Sequence, residues 1–390
     1  GSAAERPVVV TRGADGHSYR ASLSGDGRLV AFESNANSLS AEDDDRVRNV
    51  YVRDMSSGRV TLVSRATGGR GAAADDASYG AAISANGRYV AFVSRADNLD
   101  PRTAGPDWRR ITGVFVRDLR LRITTFAGLG RNPSLSADGR YLAYAADPGP
   151  AAPNDPLQIV RRDMRDGTTV LVSRAGGADG PPGDSSSFVP SMSADGNRVA
   201  FESFADNLDD AGDLGEVHRV FVRDIGRATT SRVSRGSGPE GEPGDGASLD
   251  PKISGDGRFV VFWSTSNFDP ALPQWDDHVW VRDLATERLV LADRASGARG
   301  AAGDESAGQT AISHDGRFVA FESGADNLAP GPRDDGADVF VRDMHRQATA
   351  RLSLVRRRFA LRPAISADGR YVAFESPGKD GTRHILRVRR

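Results

Sequence analysis

The sequence predicts an all-β protein, a seven-bladed β-propeller of four-stranded antiparallel blades, and three observations predict it. A Ser-x-Asp-Gly or Ser-x-Asn-Gly motif opens at Ser24, Ser84, Ser136, Ser193, Ser254, Ser313 and Ser366, at intervals of 52 to 61 residues. Repetition at a long, loosely fixed period is the mark of a repeat architecture. Each motif is flanked by short runs that alternate in period two and are rich in Val and Phe, the pattern of half-buried strands. Finally, the last unit stops at a third strand, HILRVRR (384–390), while PVVVTR (7–12) reads as a fourth strand with no unit before it.

The first strand of each unit is the run ahead of the motif, such as SYRASLS at 18–24 or ALRPAIS at 360–366. The Asp-Gly or Asn-Gly pair then takes positive φ at little cost and turns the chain into a hairpin. The second strand is the RYVAFES type. The third is the VFVRD type, ending at Asp54, Asp118, Asp163, Asp224, Asp283 and Asp343. A fourth, VTLVSR-like run lies at 60–65, 169–174 and 289–294. No stretch carries the 3.6-residue apolar period of a long amphipathic helix. Pairing 7–12 with 384–390 would complete the seventh blade and close the ring, removing two open sheet edges.

These motifs resemble the WD-like repeats of TolB-type β-propellers, whose blades carry Ser-Pro-Asp-Gly, an Ile-Ala-Phe strand and an Ile-Tyr-Val strand. The resemblance covers essentially the whole chain. It departs where Pro is replaced by Ala, Gly or His (SADG, SGDG, SHDG) and in the count of seven units where TolB has six, and no separate N-terminal α/β domain is expected ahead of the repeats. It implies an exported protein, secreted or periplasmic. It does not extend to TolB's place in an envelope-spanning complex.

With 390 residues, a formal charge of −2 and no apolar run long enough to span a bilayer, the chain reads as neither a membrane-spanning nor a nucleic-acid-binding protein. One ring takes up the whole length, so residues 1–390 are expected to form one domain and a monomer. Gly1-Ser2 reads as an expression scar, and a signal peptide is expected to have been removed. The absence of Cys excludes disulfides and thiol chemistry.

Strand parity puts the Asp-Gly turns and the third-to-fourth turns on one face. The second-to-third and blade-to-blade loops, longer and more variable, are expected on the other, and function concentrates on such loops. The recurrent Glu of the second strand (Glu33, Glu202, Glu322, Glu375) reads as structural, paired with an Arg such as that of the VRD strand. Asp75, Asp184, Asp245 and Asp304 stand nine residues before their motif Ser and read as acceptors of backbone N–H groups in turns. Acidic second-to-third loops offer structural calcium sites, with Asp43 and Asp45 in one and Asp334, Asp335 and Asp338 in another. No other cofactor is expected.

Residues that break the repeat are the informative ones. Four positions before each motif Ser, at the mouth of the central channel, stand Arg20, Gly80, Asn132, Val189, Asp250, Gln309 and Arg362. Arg20 and Arg362 fall on neighbouring blades once the ring closes and suit a carboxylate or phosphate. Blade 5 departs furthest, with Lys252 on its inner strand, Trp263 in place of the motif Glu, and Trp275 and His278 beyond. Ligand contacts are therefore expected at Arg20, Asn132, Asp250, Lys252, Trp263, Gln309 and Arg362. The expected function is recognition of a protein, peptide or glycan, or of an anionic small ligand, through the loop-rich face. The alternative is a propeller lyase or hydrolase using Lys252, Asp250 and His278, although no metal or nucleophile motif is present.

Overall fold

The computed structural model of the chain describes residues 6–43, 45–103, 112–149, 152, 154–209, 215, 217–238, 241–272, 277–331, 336–353 and 359–390. Among them, helical structure is limited to two short 3-10 turns, Asn37–Leu39 and Pro101–Thr103. None is long and apolar enough to cross a membrane. The rest is antiparallel sheet.

Unit 1 is the sheet β2 (Ser18–Leu23), β3 (Leu29–Ser34), β4 (Asn49–Asp54) and β5 (Val60–Leu62), in that order. Unit 2 contributes β6 (Ser78–Ile83), β7 (Tyr89–Ser94) and β8 (Gly113–Asp118), and unit 3 contributes β10 (Tyr141–Ala146), β11 (Gln158–Asp163) and β12 (Thr169–Leu171). Between them runs β9 (Ile123–Leu135), which is both the outer strand of unit 2 and the inner strand of unit 3, so the two units share a seven-stranded sheet. Unit 4 is β13 (Ser187–Met192), β14 (Arg198–Ser203), β15 (Arg219–Asp224) and β16 (Thr229–Arg232). Unit 5 is β17 (Ser248–Ile253), β18 (Phe259–Ser264), β19 (His278–Asp283) and β20 (Arg288–Leu291). Unit 6 is β21 (Ala307–Ile312), β22 (Phe318–Ser323), β23 (Asp338–Asp343) and β24 (Ala348–Arg351). The last sheet is β25 (Leu361–Ile365), β26 (Tyr371–Pro377) and β27 (Arg383–Arg389), with β1 (Val8–Val9) on β27 through Val8↔Arg387 and Val9↔Leu386.

The repeated motif has one local cause. In unit 1 the Ser24 hydroxyl donates to Asp26 Oδ1 at 2.7 Å and accepts Leu29 N–H at 2.9 Å, while Asp26 Oδ1 also accepts Arg28 N–H. Ser and Asp thereby satisfy the turn's own polar groups, which a buried turn cannot leave open. The Gly needs positive φ, and the seven equivalents from Gly27 to Gly369 lie between 67° and 75°. Neighbouring turns are joined in series. Gly25 N–H donates to Ala85 O, Asn86 to Ala137, Ala137 to Ala194, Ala194 to Gly255, Asp256 to His314, His314 to Ala367, and Asp368 to Gly25 O at 3.3 Å.

Apolar faces pack unit against unit. Phe92 and Phe115 of unit 2 sit with Val50 and Val52 of unit 1 in one buried cluster, and Phe32 and Tyr51 of unit 1 sit with Val10, Ala373 and Ile385 in another. The Asp of each VRD strand pairs with an Arg of the hairpin, as in Arg28–Asp54 at 2.6 Å and Arg317–Asp343 at 2.8 Å. The VRD Arg does something else. Arg117, Arg223, Arg282 and Arg342 are buried and donate to carbonyls of the preceding unit's connecting loop, for example Arg117 to Ala66 O and Gly68 O. These loops therefore lie along the outer strand of the next unit, with Gly68 N–H bonded to Arg122 O at 2.8 Å. Their return ends meet the second-to-third loops, as strand parity implies, with Asp97 N–H bonded to Asp75 at 3.2 Å and Asp206 N–H to Asp184 at 3.0 Å.

Candidate functional site at the channel mouth

Each inner strand is irregular at one place. The pairing register slips between Tyr19 and Ser22 in unit 1, between Leu249 and Lys252 in unit 5, and likewise in the others, which marks a β-bulge. The bulged residue takes positive φ at Arg20, Gly80, Asn132, Val189, Asp250 and Arg362. Left-handed backbone costs a non-glycine residue about 1 kcal/mol or more, so something must hold it. Part of that hold is the motif Glu of the preceding unit. Arg20 N–H donates to Glu375 Oε1 at 2.8 Å, Gly80 to Glu33 at 2.7 Å, Asp250 to Glu202 at 3.1 Å and Arg362 to Glu322 at 2.7 Å.

The VRD Arg is not the partner expected for these Glu residues, although Glu375 pairs with Arg362 and Arg383 of the two neighbouring strands and Glu33 with Arg48 at 3.5 Å. The carboxylate is a clamp on the next unit's bulge. In the units where Val93, Ala145 and Trp263 replace the Glu, the following bulges at Asn132, Val189 and Gln309 have no such clamp, and Gln309 is not left-handed. Burial pushes the Glu33 and Glu322 carboxyls above the usual carboxylate range, and Glu202 up to about 7, with Asp250 adding to the rise and the Asp250 N–H and Lys252 opposing it.

The bulges aim their side chains into one cavity of about 230 Å³ lined by Arg20, Asn132, Asp250, Lys252, Gln309 and Arg362, with Pro133, Pro190 and Pro363 among its apolar wall. Below it lies a cavity of about 370 Å³ whose wall includes Leu23, Ile83, Leu135, Met192, Ile253 and Ile312 together with Ser191, Thr310 and His314. Lys252 borders both cavities. Within the mouth, Lys252 Nζ is bonded to the Asp250 carboxylate, whose other oxygen accepts Thr310 N–H at 3.3 Å. Arg362 lies 3.3 Å from both oxygens of Glu375, which also binds Arg383 at 3.0 Å. Arg20 differs. It is exposed, and among the described residues its guanidinium has no hydrogen bond or ion pair. An anion entering the mouth therefore meets one uncommitted guanidinium and two basic groups already paired to carboxylates.

No protein-family model and no curated protein matches the sequence. Solved structures do match over nearly its whole length. The β-propeller domain of the Trilobed protease from Pyrococcus furiosus, which has an open velcro topology, is 10% identical, with 96% of this chain and 94% of that chain covered and a TM-score of 0.60. Oligogalacturonate lyase from Vibrio parahaemolyticus is 12% identical over 99% of this chain and 96% of its own, at 0.59. A structure of oligogalacturonate lyase in complex with manganese matches at 12% identity and 0.59, over 99% of this chain and 95% of that one. The fold is a β-propeller. TolB of Acinetobacter baumannii and a TolB of Agrobacterium tumefaciens are also among the matches, each at 0.43. At these identities the likeness is one of fold.

Of the residues expected to meet a ligand, the propeller brings Arg20, Asn132, Asp250, Lys252, Gln309 and Arg362 together at the mouth. Trp263 does not line it. It stands one strand farther out, where other units carry Glu, and packs against the cluster of Val261, Val279 and Phe321. His278 is buried at the start of β19, its Nδ1 2.7 Å from Asp293 Oδ2, and lies away from the mouth. Lys252 has a carboxylate partner and is not an isolated, desolvated amine.

Asp75, Asp184, Asp245 and Asp304 accept backbone N–H groups of the adjacent second-to-third loop, as Asp184 does from Asp206 at 3.0 Å. Among the expected calcium ligands, Asp43 is buried beside the Tyr51 hydroxyl and pushed up to about 6 by burial, with Asp45 adding to it. Asp45 is exposed and accepts Val47 N–H. Asp338 binds Arg351 at 2.7 Å and the Ser353 hydroxyl. Asp334, Asp335 and Trp275 lie outside the described residues. Among the described residues no three His, Asp or Glu side chains are grouped to hold one metal ion.

Proposed function

We propose that the chain is a single-domain, monomeric, seven-bladed propeller, closed by β1 on β27, which binds the anionic end of a protein, peptide or glycan ligand at its channel mouth. Three features support the ring: seven equivalent turns, the series of turn hydrogen bonds that returns from Asp368 to Gly25, and the apolar cluster joining Val10 to Ile385. The observation that carries the binding reading is the uncommitted Arg20 guanidinium beside Arg362, on the rim of a cavity whose other basic groups, Lys252 and Arg362, are already paired to carboxylates. A carboxylate there would accept a bidentate pair of hydrogen bonds from Arg20. Asn132 and Gln309 add neutral donors and acceptors, and the prolines exclude water. An extracytoplasmic location belongs to this reading and rests on the resemblance of the repeats to exported propellers. Structural calcium at the loop of Asp43 and Asp45 belongs to it as well.

The experiment is a calorimetric screen of uronate oligosaccharides and short peptides with free C-termini, against the natural chain and Arg20→Ala. Binding that falls about ten- to a hundredfold in the variant supports the reading, since a charge-assisted hydrogen bond contributes roughly 1.5–3 kcal/mol. Binding that is unchanged in the variant contradicts it.

A second reading, a propeller lyase or hydrolase, is favoured by one observation. The Glu202 carboxyl, raised to about 7, sits one hydrogen bond behind Asp250 and Lys252, close to the pKa that general acid–base catalysis needs. Its acid–base set would be Lys252, Asp250 and Glu202, without His278. Release of unsaturated or reducing ends from a uronate oligosaccharide, lost in Glu202→Gln, separates this reading from simple binding.

A further inference from the structure

Four connecting loops dock on the outer edge of the next unit by one repeated device. In unit 2, Arg117 donates to Ala66 O and Gly68 O and to the Thr124 hydroxyl, and Thr124 Oγ1 donates to Arg65 O at 2.5 Å. The Gly68 N–H is bonded to Arg122 O. Unit 4 repeats it with Arg223 and Thr230 on the carbonyls of Arg174, Ala175 and Gly177, and Gly177 N–H on Ala228 O at 2.7 Å. Unit 6 repeats it with Arg342 and Thr349 on Arg294, Ala295 and Gly297. Unit 5 uses Arg282 in the same way with Leu289 in place of Thr. The receptor thus has three parts: an Arg, a Thr opposite it on the outer strand, and the carbonyl of the residue that ends the preceding turn.

Unit 3 carries all three parts. Arg162 pairs in register with Thr169, as Arg117 does with Thr124, and Gly167 occupies the place of Arg122. Among the described residues no loop is bonded to them. The chain between units 2 and 3 runs straight through β9, leaving 10 residues from Phe126 to Ser136 where the equivalent stretch from Leu62 to Ser84 has 22. Among the described residues neither the Arg162 guanidinium nor the Thr169 hydroxyl has a hydrogen-bond partner, and Gly167 O accepts no N–H. The surface around them is open as well. Thr169 is exposed, and Val170 and Ile123 are 38% and 42% accessible. Leu171 is half-buried where its equivalents Leu62, Arg232, Leu291 and Arg351 are buried. A groove of about 450 Å³ lined by Ile123, Met164 and Arg165 runs alongside. Between units 1 and 2 the corresponding groove is smaller, about 370 Å³, and the docked loop's Gly69 helps to line it.

We propose that the outer edge of unit 3 is a docking site for an extended, glycine-containing segment of a partner protein, seated as the chain's own loops are seated on units 2, 4 and 6. The filled receptors define the occupant's chemistry. It offers successive backbone carbonyls to Arg162 and Thr169 and a glycine N–H to Gly167 O, while its apolar side chains cover Val170 and Ile123. Recognition through main-chain groups at an open strand edge is a recurring mode of peptide capture.

The test uses a fluorescein-labelled, end-blocked peptide with the sequence of residues 173–182, read by fluorescence anisotropy on the full chain. Saturable binding is expected with a Kd on the order of 0.1–1 mM. It should weaken about tenfold in Arg162→Ala and several-fold in Thr169→Val, and stay unchanged in Arg20→Ala. Thermal melting keeps the reasoning independent of the peptide. Arg162→Ala should melt with the natural chain, because among the described residues the Arg162 guanidinium makes no hydrogen bond or ion pair, whereas Arg223→Ala should melt several degrees lower. The proposal is overturned by absence of saturable binding, by equal binding to Arg162→Ala, or by an Arg162→Ala melting loss that equals that of Arg223→Ala. A concentration-dependent dimer abolished by Arg162→Ala would overturn the assignment to a foreign partner in favour of a second copy.

Discussion

Replacing Glu202 by Gln should make the protein more stable above neutral pH and leave it unchanged in mild acid. Glu202 is buried behind the mouth, accepts the Asp250 N–H, and has the half-buried His218 ring 3.8 Å away. Its carboxyl is raised from the ordinary 4.5 to about 7, chiefly by burial, with the Asp250 carboxylate adding and Lys252 opposing. Burial lowers the His218 pKa from the ordinary 6.5. A raised carboxyl means that between about pH 4.5 and pH 7 the folded chain holds a proton the unfolded chain has lost. Stability must then fall as pH rises through that window. At roughly 1.4 kcal/mol per unit, a shift of about 2.5 units amounts to about 3 kcal/mol lost by pH 8. Gln keeps the acceptor for Asp250 N–H and never ionises. Urea unfolding at pH 4 and pH 8 should therefore give the variant nearly equal stability at the lower pH and a gain of about 3 kcal/mol at the higher. Glu202→Ala, which removes the acceptor, should be destabilised at both. A Gln variant that is weaker than the natural chain at pH 8 would refute the reasoning, because it would mean that the ionised carboxylate is what holds the bulge.

Three further outcomes follow from the same geometry. Deleting residues 1–12 removes β1 and the fully buried Val10 from the cluster with Phe32 and Ile385, and should lower the melting temperature by several degrees; an unchanged Tm would remove the closure. Gly139→Ala places a Cβ 2.2 Å from Tyr89 Cδ2 at a residue with φ of 75°, and should cost about 2 kcal/mol or more by urea unfolding, whereas Gly58→Ala, with open space around it, should cost less. If the loop of Asp43 and Asp45 holds calcium, chelator should lower the Tm and millimolar calcium restore it, by mass action on the folded state; identical melting curves would discard the ion.

The scaffold was legible because its cause is local. Ser, Asp and Gly of each motif satisfy one turn within six residues, so the turn, the hairpin and the flanking strands could be placed from the sequence. The positions aimed into the mouth were legible for a similar reason, since four residues before the turn is a fixed register on a short strand. What escaped was set by groups far apart in the chain. Glu33 clamps Gly80, 47 residues away, across the gap between two units. The clamped bulge has no residue signature, as Arg20, Gly80, Asp250 and Arg362 all occupy it. Trp263 and His278 were drawn toward the mouth by being unusual, yet strand alternation turns both into the packing of their unit. Likewise β9 carries no mark of its double duty except a short spacing between motifs, and the meaning of Arg162 and Thr169 becomes readable only when the filled receptors are seen beside the empty one.

The proposed binding of an anion at the mouth turns on Arg20. The most direct measurement is a crystal structure of the full chain with the tightest-binding carboxylate ligand from the calorimetric screen. The carboxylate is expected within about 3 Å of the Arg20 guanidinium, with the rest of the ligand against Asn132, Gln309 and the proline wall. A ligand seated instead on the face of the Asp-Gly turns, with Arg20 untouched, would contradict it.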